Sequence, residues 1–170
     1  EAINNQGIEI LRGYPSSLYI FSCYIKENNK SIKKIKSILT ASEVLTKKER
    51  KSIEKTFGSN VFDHYGLADI SVMMGECEYH NGLHNYEDYG YLELLKANHG
   101  YNIIGTNLNN YAMPLIRYDT GDIAEKSKSS CDCNRNFQLV KKIIGRKDSL
   151  IRSPSDQKIP TLNFYTMFND

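Results

Sequence analysis

The hydrophobic periodicity of the chain changes at about residue 75, and this change constrains the fold more than any other feature. Before that point, apolar residues recur three to four positions apart; after it, they form short runs separated by Gly, Asn, Asp and Ser. The first pattern is typical of helices, and the second is typical of β-strands joined by turns. We therefore expect an α/β fold, with a parallel α/β subdomain followed by a small antiparallel β subdomain or distorted barrel.

Two helices are predicted in the first part. In residues 29–39, Ile32, Ile35 and Ile38 recur at helical spacing with lysines between them, so the basic run 30–36 is expected to face water. Thr46 followed by Glu49 matches a capping box, and Gly58 supplies a helix stop. This second helix is therefore expected to run from Thr46 to Gly58.

Short strands are predicted between and after these helices. Residues 37–45 contain one apolar stretch, and Val61 begins another that leads to Tyr65 and Gly66. Alternation of helix and strand indicates a parallel sheet, and ligands usually bind at the carboxyl ends of its strands. The later β-like runs cover residues 91–95, 103–108, 123–125, 137–144 and 150–151. We divide the chain into 1–75, the partial α/β subdomain; 76–144, a β-rich subdomain; and 145–170, a hinge followed by the start of another domain.

Composition excludes several classes of protein. Hydrophobic residues make up 40% of the chain and charged residues 25%, which is typical of globular proteins. A net charge of +2 gives no field that would attract nucleic acid or a membrane surface. The sequence has neither an apolar stretch of the roughly 18 to 20 residues needed to span a bilayer nor a signal-peptide pattern at its start. We expect a cytoplasmic protein and, because Met is absent at position 1, an excerpt of a longer one.

Three cysteines and one histidine are candidate metal ligands. Cys131 and Cys133 are one residue apart, a spacing that disfavours a mutual disulfide, and Cys77 and His84 lie in a loop rich in Gly, Asn and His. Such a Cys3His set suits a closed, structural tetrahedral zinc site. His80 is the alternative fourth ligand, and unconnected buried thiols are the alternative to a site. Cys23, within the apolar run 18–25, is expected to be a core residue.

Three segments, in this order, resemble the later motifs of the adenylate-forming superfamily. They are Phe62-Asp63-His64-Tyr65-Gly66, Met113-Pro114-Leu115-Ile116-Arg117-Tyr118-Asp119-Thr120-Gly121-Asp122 and Ile144-Gly145-Arg146-Lys147-Asp148. Residues 13–17 and 76–84 further resemble the phenylacetate–coenzyme A ligase branch, which includes proteins named for capsule biosynthesis. The resemblance extends from about residue 10 to residue 165.

The resemblance implies an ATP-dependent acid–thiol ligase. In this family a carboxylate attacks the α-phosphate of ATP to give an acyl-adenylate, and a thiol such as coenzyme A then displaces AMP. The sequence lacks the family's Ser/Thr/Gly-rich phosphate loop and its C-terminal adenylation lysine. We therefore expect no catalytic residue within the chain and no adenylation by it alone. The expected partners are a small carboxylic acid and the nucleotide, with Mg²⁺ and structural zinc, and a homodimer is left open.

The resemblance also implies roles for individual residues. The Asp122 carboxylate would accept hydrogen bonds from the ribose, and Arg146 would reach the ribose or phosphate. The Tyr65 ring would contact adenine, and Gly66 would let the backbone approach the nucleotide. These four positions match the family pattern.

Other positions depart from that pattern or have competing interpretations. Asp69 stands where the family has the glutamate that binds magnesium, and Ala68 removes a hydroxyl that would contact phosphate. Ser42 and Glu43 would line the adenine and acyl pocket or form only a polar loop before a helix. Asp148 would be the hinge residue, although Asp148-Ser149 replaces the usual acidic pair. The alternative function is a non-catalytic, zinc-stabilised binding module, and a redox role for Cys131 and Cys133 is disfavoured. The acid substrate is not readable from this sequence.

Overall fold

The computed structural model describes residues 2–147, 150–152 and 158–160. These residues form two compact units that meet in sequence between His64 and Tyr65. Each unit is described by itself. The three-part division predicted from the sequence stays a prediction, because most of its third part, 145–170, falls outside the described residues.

The first unit is a small parallel α/β layer. Its elements are α1 (Ala2–Asn5), β1 (Ile10–Gly13), α2 (Pro15–Glu27), β2 (Ser37–Ala41), α3 (Lys47–Phe57) and β3 (Val61–Gly66), the last ending just past the unit boundary. The strand order is β1-β2-β3, and both pairings are parallel, with Ile38 opposite Leu11 and Val61. The parallel α/β prediction is confirmed.

Helix α3 begins and ends where the sequence predicts. The Glu49 N–H donates to Thr46 Oγ1 at 3.2 Å, and the Thr46 N–H donates to Glu49 Oε2 at 2.9 Å, which completes the capping box. Gly58 ends the helix with a φ of 66°, a left-handed conformation that glycine adopts without steric cost. Ile53 and Phe57 lie on the buried face of this helix.

The helix predicted over residues 29–39 is wrong. Residues 30–36 are irregular, and residues 37–41 form β2 with Ile38 and Thr40 buried. Ile35 and Ile38 are fully buried, so the apolar residues do enter the core, but from an extended chain. The helix in this part of the chain is α2, which begins with Pro15 at its first turn, where a missing N–H costs nothing. Tertiary packing therefore overrides the apparent helical spacing here.

The second unit is an antiparallel sheet. Its strands are β4 (Met73–Glu76), β5 (Leu83–Asn85), β6 (Gly90–Ala97), β7 (Gly100–Asn107), β8 (Tyr118–Lys126) and β9 (Leu139–Arg146), arranged in the order β4-β5-β9-β8-β7-β6. A separate hairpin pairs β10 (Leu150–Arg152) with β11 (Lys158–Pro160). The predicted β-rich second half is confirmed, with β4, β5 and β11 as additional strands.

The core of the second unit contains one side chain from the candidate site. Val72, Met74, Ile103, Ala124 and Val140 are completely buried, and Tyr65 packs against this cluster. A residue predicted to contact a nucleotide is therefore also anchored in the hydrophobic core.

Two glycines allow the chain to cross the β6–β7 hairpin closely. A Cβ atom on Gly90 would collide with the carbonyl oxygen of Ser71. A Cβ atom on Gly105 would lie 2.7 Å from the Val72 Cγ2 atom. Segment 71–72 therefore rests directly on the backbone of the hairpin, where any larger residue would displace it.

Within the described residues, no helix is both long and apolar enough to cross a membrane.

Candidate functional site

Asp122 lies in a bulge of β8, an interior strand of the sheet between β7 and β9. Pairing with β7 jumps from Asn102–Ile123 to Ile104–Asp119, so the intervening residues leave the regular ladder. Gly121 adopts a φ of 76°, and its N–H donates to Asp119 Oδ1 at 3.0 Å. Bulges of this kind redirect side chains and recur next to functional sites.

The side chain of Thr120 links this bulge to the neighbouring strand β7. Its Oγ1 donates to the Ile103 carbonyl at 2.9 Å and accepts from the Asp122 N–H at 3.1 Å. Thr120 and Asp122 are both buried. The position of the Asp122 backbone is therefore fixed by a chain of hydrogen bonds that starts in β7.

Tyr65 and Arg146 flank the Asp122 carboxylate. The Tyr65 hydroxyl donates to Asp122 Oδ2 at 2.6 Å. Burial raises the pKa of Tyr65, and the hydrogen bond to Asp122 raises it further, so the phenol stays protonated. Arg146, in β9, lies opposite Asp122 of β8, and its Nε atom is 3.7 Å from Asp122 Oδ1. Three predicted site residues are thus brought together.

The Asp122 carboxylate keeps accepting capacity after these contacts. Two carboxylate oxygens offer about four lone-pair positions, and the hydrogen bond from Tyr65 uses one of them. The Arg146 side chain is 62% exposed and too far for a short hydrogen bond. The carboxylate can therefore accept further hydrogen bonds from two neighbouring hydroxyl groups.

Asp69 lies in a strained turn after β3. Its Oδ1 atom accepts from the Ser71 N–H at 2.8 Å, which leaves the other oxygen available to a cation. Ile70 has a φ of 63°, which is unfavourable for a β-branched residue. Gly66 ends β3 and is exposed. Backbone strain of this kind is found preferentially at functional sites.

Asn107 joins the Asp69 turn to the loop between β7 and β8. Its Nδ2 group donates to the carbonyl oxygens of Met113 at 3.0 Å and Asp69 at 3.4 Å. Its Oδ1 atom accepts from the Leu115 N–H at 3.0 Å. Sequence reasoning missed this residue, because an asparagine at the end of a strand resembles any turn residue.

Arg117 lies in the loop between β7 and β8, and the sequence does not reveal its structural role either. It adopts a φ of 52°, its N–H donates to Thr106 Oγ1 at 2.9 Å, and its Nε atom donates to Glu93 Oε2 at 3.0 Å. These contacts hold the strained backbone just before Tyr118. The contacts of Arg117 therefore stabilise the backbone conformation that leads into the Asp122 bulge.

Ser42 and Glu43 belong to the first unit. Ser42 has a φ of 71°, and Glu43 Oε2 accepts from the Ser16 N–H at 3.1 Å in the first turn of α2. A carboxylate at a helix N-terminus is stabilised by the helix dipole. Glu43 therefore has a structural contact within its own unit, and the predicted pocket contacts of both residues stay predictions. Asp148, the predicted hinge residue, lies outside the described residues.

The four predicted metal ligands converge in the second unit. Cys77 follows β4, His84 lies in β5, and Cys131 and Cys133 lie between β8 and β9. Their ligand atoms all lie within 4.8 Å of one another. His80 instead places its Nδ1 atom 3.1 Å from Glu76 Oε2 and is outside this group.

The spacing of these atoms fits tetrahedral zinc. Zinc–sulfur bonds of about 2.3 Å and zinc–nitrogen bonds of about 2.05 Å place two sulfurs about 3.8 Å apart and sulfur and nitrogen about 3.5 Å apart. The Cys77 and Cys131 sulfurs are 3.5 Å apart, and Cys133 Sγ is 3.5 Å from His84 Nε2. Three soft thiol ligands and one imidazole therefore have suitable chemistry and suitable spacing.

Arg135 is the positive charge beside this cluster. Burial lowers the pKa of His84, and the charge of Arg135 lowers it further. Burial raises the pKa of Cys133, but hydrogen bonds from Arg135 and Cys131 lower it by more, so the net shift of the pKa is downward. Arg135 itself donates to Glu78 Oε2 at 2.7 Å. A hydrogen bond from the Cys133 backbone lowers the pKa of Cys131, but burial and the Cys77 thiol outweigh it and raise this pKa to about 11. The shifts at His84 and Cys133 favour the neutral imidazole and move the Cys133 thiol toward the thiolate, the forms that bind zinc.

Solved structures with this fold are acid–coenzyme A ligases. A 2-hydroxyisobutyryl-CoA ligase in the postadenylation state matches 95% of this chain and 37% of its own, with a TM-score of 0.78 and 19% identity. An anthranilate CoA ligase in complex with anthranoyl-AMP matches 89% of this chain and 32% of its own, with a TM-score of 0.65 and 12% identity. The fold is that of adenylate-forming ligases.

Sequence comparison finds relatives with one particular activity, phenylacetate-coenzyme A ligases. The phenylacetate-coenzyme A ligase of Thermus thermophilus is 30% identical over an alignment of 121 residues that covers 65% of this chain. The Pseudomonas putida enzyme of the same name is 29% identical over an alignment of 129 residues that covers 69% of this chain. The chain is therefore similar in sequence to phenylacetate-coenzyme A ligases and shares the fold of adenylate-forming ligases.

These matches cover only part of the relatives. The aligned segments span 27% of the Thermus thermophilus enzyme and 29% of the Pseudomonas putida enzyme. No family model matches the chain.

Proposed function

We propose that this chain supplies the ribose-contacting part of the nucleotide site in an ATP-dependent acid–thiol ligase that forms an acyl-adenylate. The thiol acceptor would be coenzyme A, and the other substrate would be a small carboxylic acid. The names of the sequence relatives, phenylacetate-coenzyme A ligases, support this class of reaction. The ligand named for the 2-hydroxyisobutyryl-CoA ligase structure, an acyl-AMP, supports the same intermediate.

The Asp122 carboxylate is the observation that carries this proposal. It is ionisable, its side chain is 9% exposed, and it retains free accepting positions next to a cationic Arg146. A carboxylate that is positioned this firmly can accept hydrogen bonds from both hydroxyls of a ribose. Arg146, with its exposed guanidinium, would meet the phosphate or the ribose from the β9 side.

Other residues are proposed to contact the adenine ring and the metal ion of the nucleotide. The Tyr65 ring and Gly66 would contact adenine, and the free oxygen of Asp69 would bind Mg²⁺, which prefers oxygen ligands. Mg²⁺ would neutralise phosphate charge when bound. Ser42 and Glu43 are proposed as contacts of the adenine or acyl group, and Asp148 is proposed as the hinge residue.

The Cys77–His84–Cys131–Cys133 cluster is proposed to hold a structural zinc ion. A closed set of four protein ligands leaves no position for substrate, so zinc there would stabilise the fold and take no part in the reaction. This cluster also supports a second candidate function, a zinc-stabilised module that binds a nucleotide without catalysis. The two functions differ in whether ATP is consumed.

Calorimetric titration of the 170-residue chain with AMP tests the proposal. Asp122→Asn should weaken binding by about tenfold or more, because an amide loses charge-assisted hydrogen bonds to the ribose. Asp88→Asn is the matched control, since it removes the same charge from an exposed residue and should leave the affinity unchanged. Equal affinities of the wild type and Asp122→Asn would refute the assignment.

A further inference from the structure

We propose that Tyr65 is a positioning residue for the sugar, because its hydroxyl orients the Asp122 carboxylate toward the ribose hydroxyls. This inference rests on the proposed function and deepens it. The family resemblance assigns Tyr65 an adenine contact through its ring. In the structure, the hydroxyl group at the end of the same side chain makes a separate contact, with Asp122.

The geometry of the pair is specific. Tyr65 is 57 residues away from Asp122 in sequence, yet its hydroxyl lies 2.6 Å from Asp122 Oδ2. The ring packs against the hydrophobic core of the second unit. Because the ring packs against this core, the phenol has little freedom to follow a moving carboxylate, and its hydrogen bond favours one orientation of the carboxylate.

Other contacts of Asp122 do not set this orientation. Arg146 Nε is 3.7 Å from Oδ1, and its side chain is mostly exposed. The Thr120 hydroxyl contacts the Asp122 backbone N–H. Among the described residues, Tyr65 therefore provides the short side-chain hydrogen bond to the carboxylate itself.

A neutral donor suits this task better than a cation. A lysine or arginine at 2.6 Å would neutralise the carboxylate and weaken its hydrogen bonds to hydroxyl groups. A phenol fixes one oxygen and leaves the negative charge in place. The raised pKa of Tyr65, caused first by burial and then by Asp122, keeps this donor protonated at physiological pH.

Tyr65 should consequently determine how strongly the site prefers a ribose to a sugar without hydroxyls. Tyr65→Phe keeps the aromatic ring and removes only the orienting hydrogen bond. The variant should still bind adenine, whereas the carboxylate, free to rotate, should meet the two ribose hydroxyls less well. The loss should therefore appear with AMP and disappear with 2′,3′-dideoxy-AMP.

Calorimetric titration of the 170-residue chain with both nucleotides separates these effects. For Tyr65→Phe we expect about fivefold to tenfold weaker binding of AMP and unchanged binding of 2′,3′-dideoxy-AMP. Tyr101→Phe, which removes a half-buried hydroxyl from β7, should change neither affinity. In the Asp122→Asn background, adding Tyr65→Phe should cost little more, because the two residues act as one unit.

Each other outcome overturns the inference in a recognisable way. Equal losses with both nucleotides would show that Tyr65 acts through its ring or through the fold. Equal losses in the wild-type and Asp122→Asn backgrounds would show that the hydroxyl does not act through the carboxylate. A wild-type chain that binds both nucleotides equally would refute the ribose contact itself, and the proposed function would fail with it.

Discussion

The Nε2 atom of His84 lies 3.5 Å from the Sγ atom of Cys133, although 49 residues separate them in sequence. Cys77 and Cys131 make a similar approach, with 3.5 Å between their sulfur atoms. Each pair joins the β4–β5 region to the connection between β8 and β9. One metal ion bound to all four residues would therefore close two long loops at once.

Cys131→Ser should lower both the zinc content and the stability. Elemental analysis of the purified chain should find about one zinc per molecule, and the variant should contain less. Loss of zinc should reduce the melting temperature strongly, because structural zinc contributes on the order of 10 kcal/mol in peptides. Melting temperature and zinc content can be measured on the same preparations.

Two control variants sharpen this experiment. Cys23→Ser changes a half-buried cysteine outside the cluster and should leave zinc unchanged. His84→Ala should lose zinc, whereas His80→Ala should retain it, because the His80 ring lies against Glu76 and is not among the four grouped ligands. Zinc-free wild-type protein with an unchanged melting temperature would end the zinc hypothesis.

The 170-residue chain should not catalyse ATP–pyrophosphate exchange. Adenylation depends on groups that clamp the phosphates and stabilise developing charge, and the sequence lacks the phosphate loop and adenylation lysine of the family. Exchange should be measured with phenylacetate and a panel of other aryl and fatty acids. A rate above that of an empty-vector preparation would show that the catalytic groups have been misplaced.

Asp122→Ala should impair adenylation in any intact ligase that carries this chain. Loss of two charge-assisted hydrogen bonds, each contributing roughly 1.5 to 3 kcal/mol, predicts a decrease of about two orders of magnitude or more in kcat/KM. Zinc content and unfolding should match those of the wild type. Normal ATP kinetics in the folded variant would leave Asp122 as part of a structural turn.

His64 should make the stability of the chain depend on pH. Burial lowers the pKa of His64 below its ordinary value of about 6.5, and the positive charge of Arg12 lowers it further. The unfolded state therefore takes up the proton first, and stability present above pH 6.5 is lost as the pH falls through the lower folded pKa. Urea unfolding at pH 7.5 and pH 5.5 should show a smaller difference for His64→Gln than for the wild type.

Arg12→Gln tests the cause of that shift. Removing the cation should bring the pKa of His64 closer to its ordinary value, so this variant should lose less stability on acidification than the wild type. If His64→Gln has the same pH dependence as the wild type, another group is responsible for it.

Asn107→Leu should destabilise the chain. Leucine has a similar volume but leaves the Met113 carbonyl and the Leu115 N–H without the partners that Asn107 provides. A hydrogen bond of this kind contributes roughly 0.5 to 1.5 kcal/mol, so loss of both should lower the free energy of unfolding by about 1 to 3 kcal/mol. Asn109→Leu, at an exposed neighbouring position, should have little effect in the same urea titration.

Local signals in the sequence predicted the elements that depend on local chemistry. Helix α3 follows from its capping box, and the hairpins of the second unit follow from alternating apolar runs and turn residues. The helix predicted over residues 29–39 failed because the buried isoleucines there pack from an extended chain. A spacing of three to four residues arises in irregular segments too, and only the neighbouring elements decide between the two.

The sequence predicted which residues could bind a ligand, but it did not predict which of them contact one another. The residue types at positions 77, 84, 131 and 133 are characteristic of zinc ligands, so their convergence could be anticipated. The hydrogen bond from Tyr65 to Asp122 could not be anticipated, because nothing local reports the approach of residues 57 positions apart. The role of Asn107 was hidden for the same reason.

Gly90 and Gly105 show where natural variation in this chain should be restricted. Neither residue lies in a nucleotide motif, yet both support segment 71–72, which directly follows the Asp69 turn. In a mutational scan that scores nucleotide binding, substitutions at these two positions should appear as harmful as changes in the motifs. The scan would then identify the backbone surface that supports the Asp69 turn, at two glycines that have no side chain with which to contact a ligand.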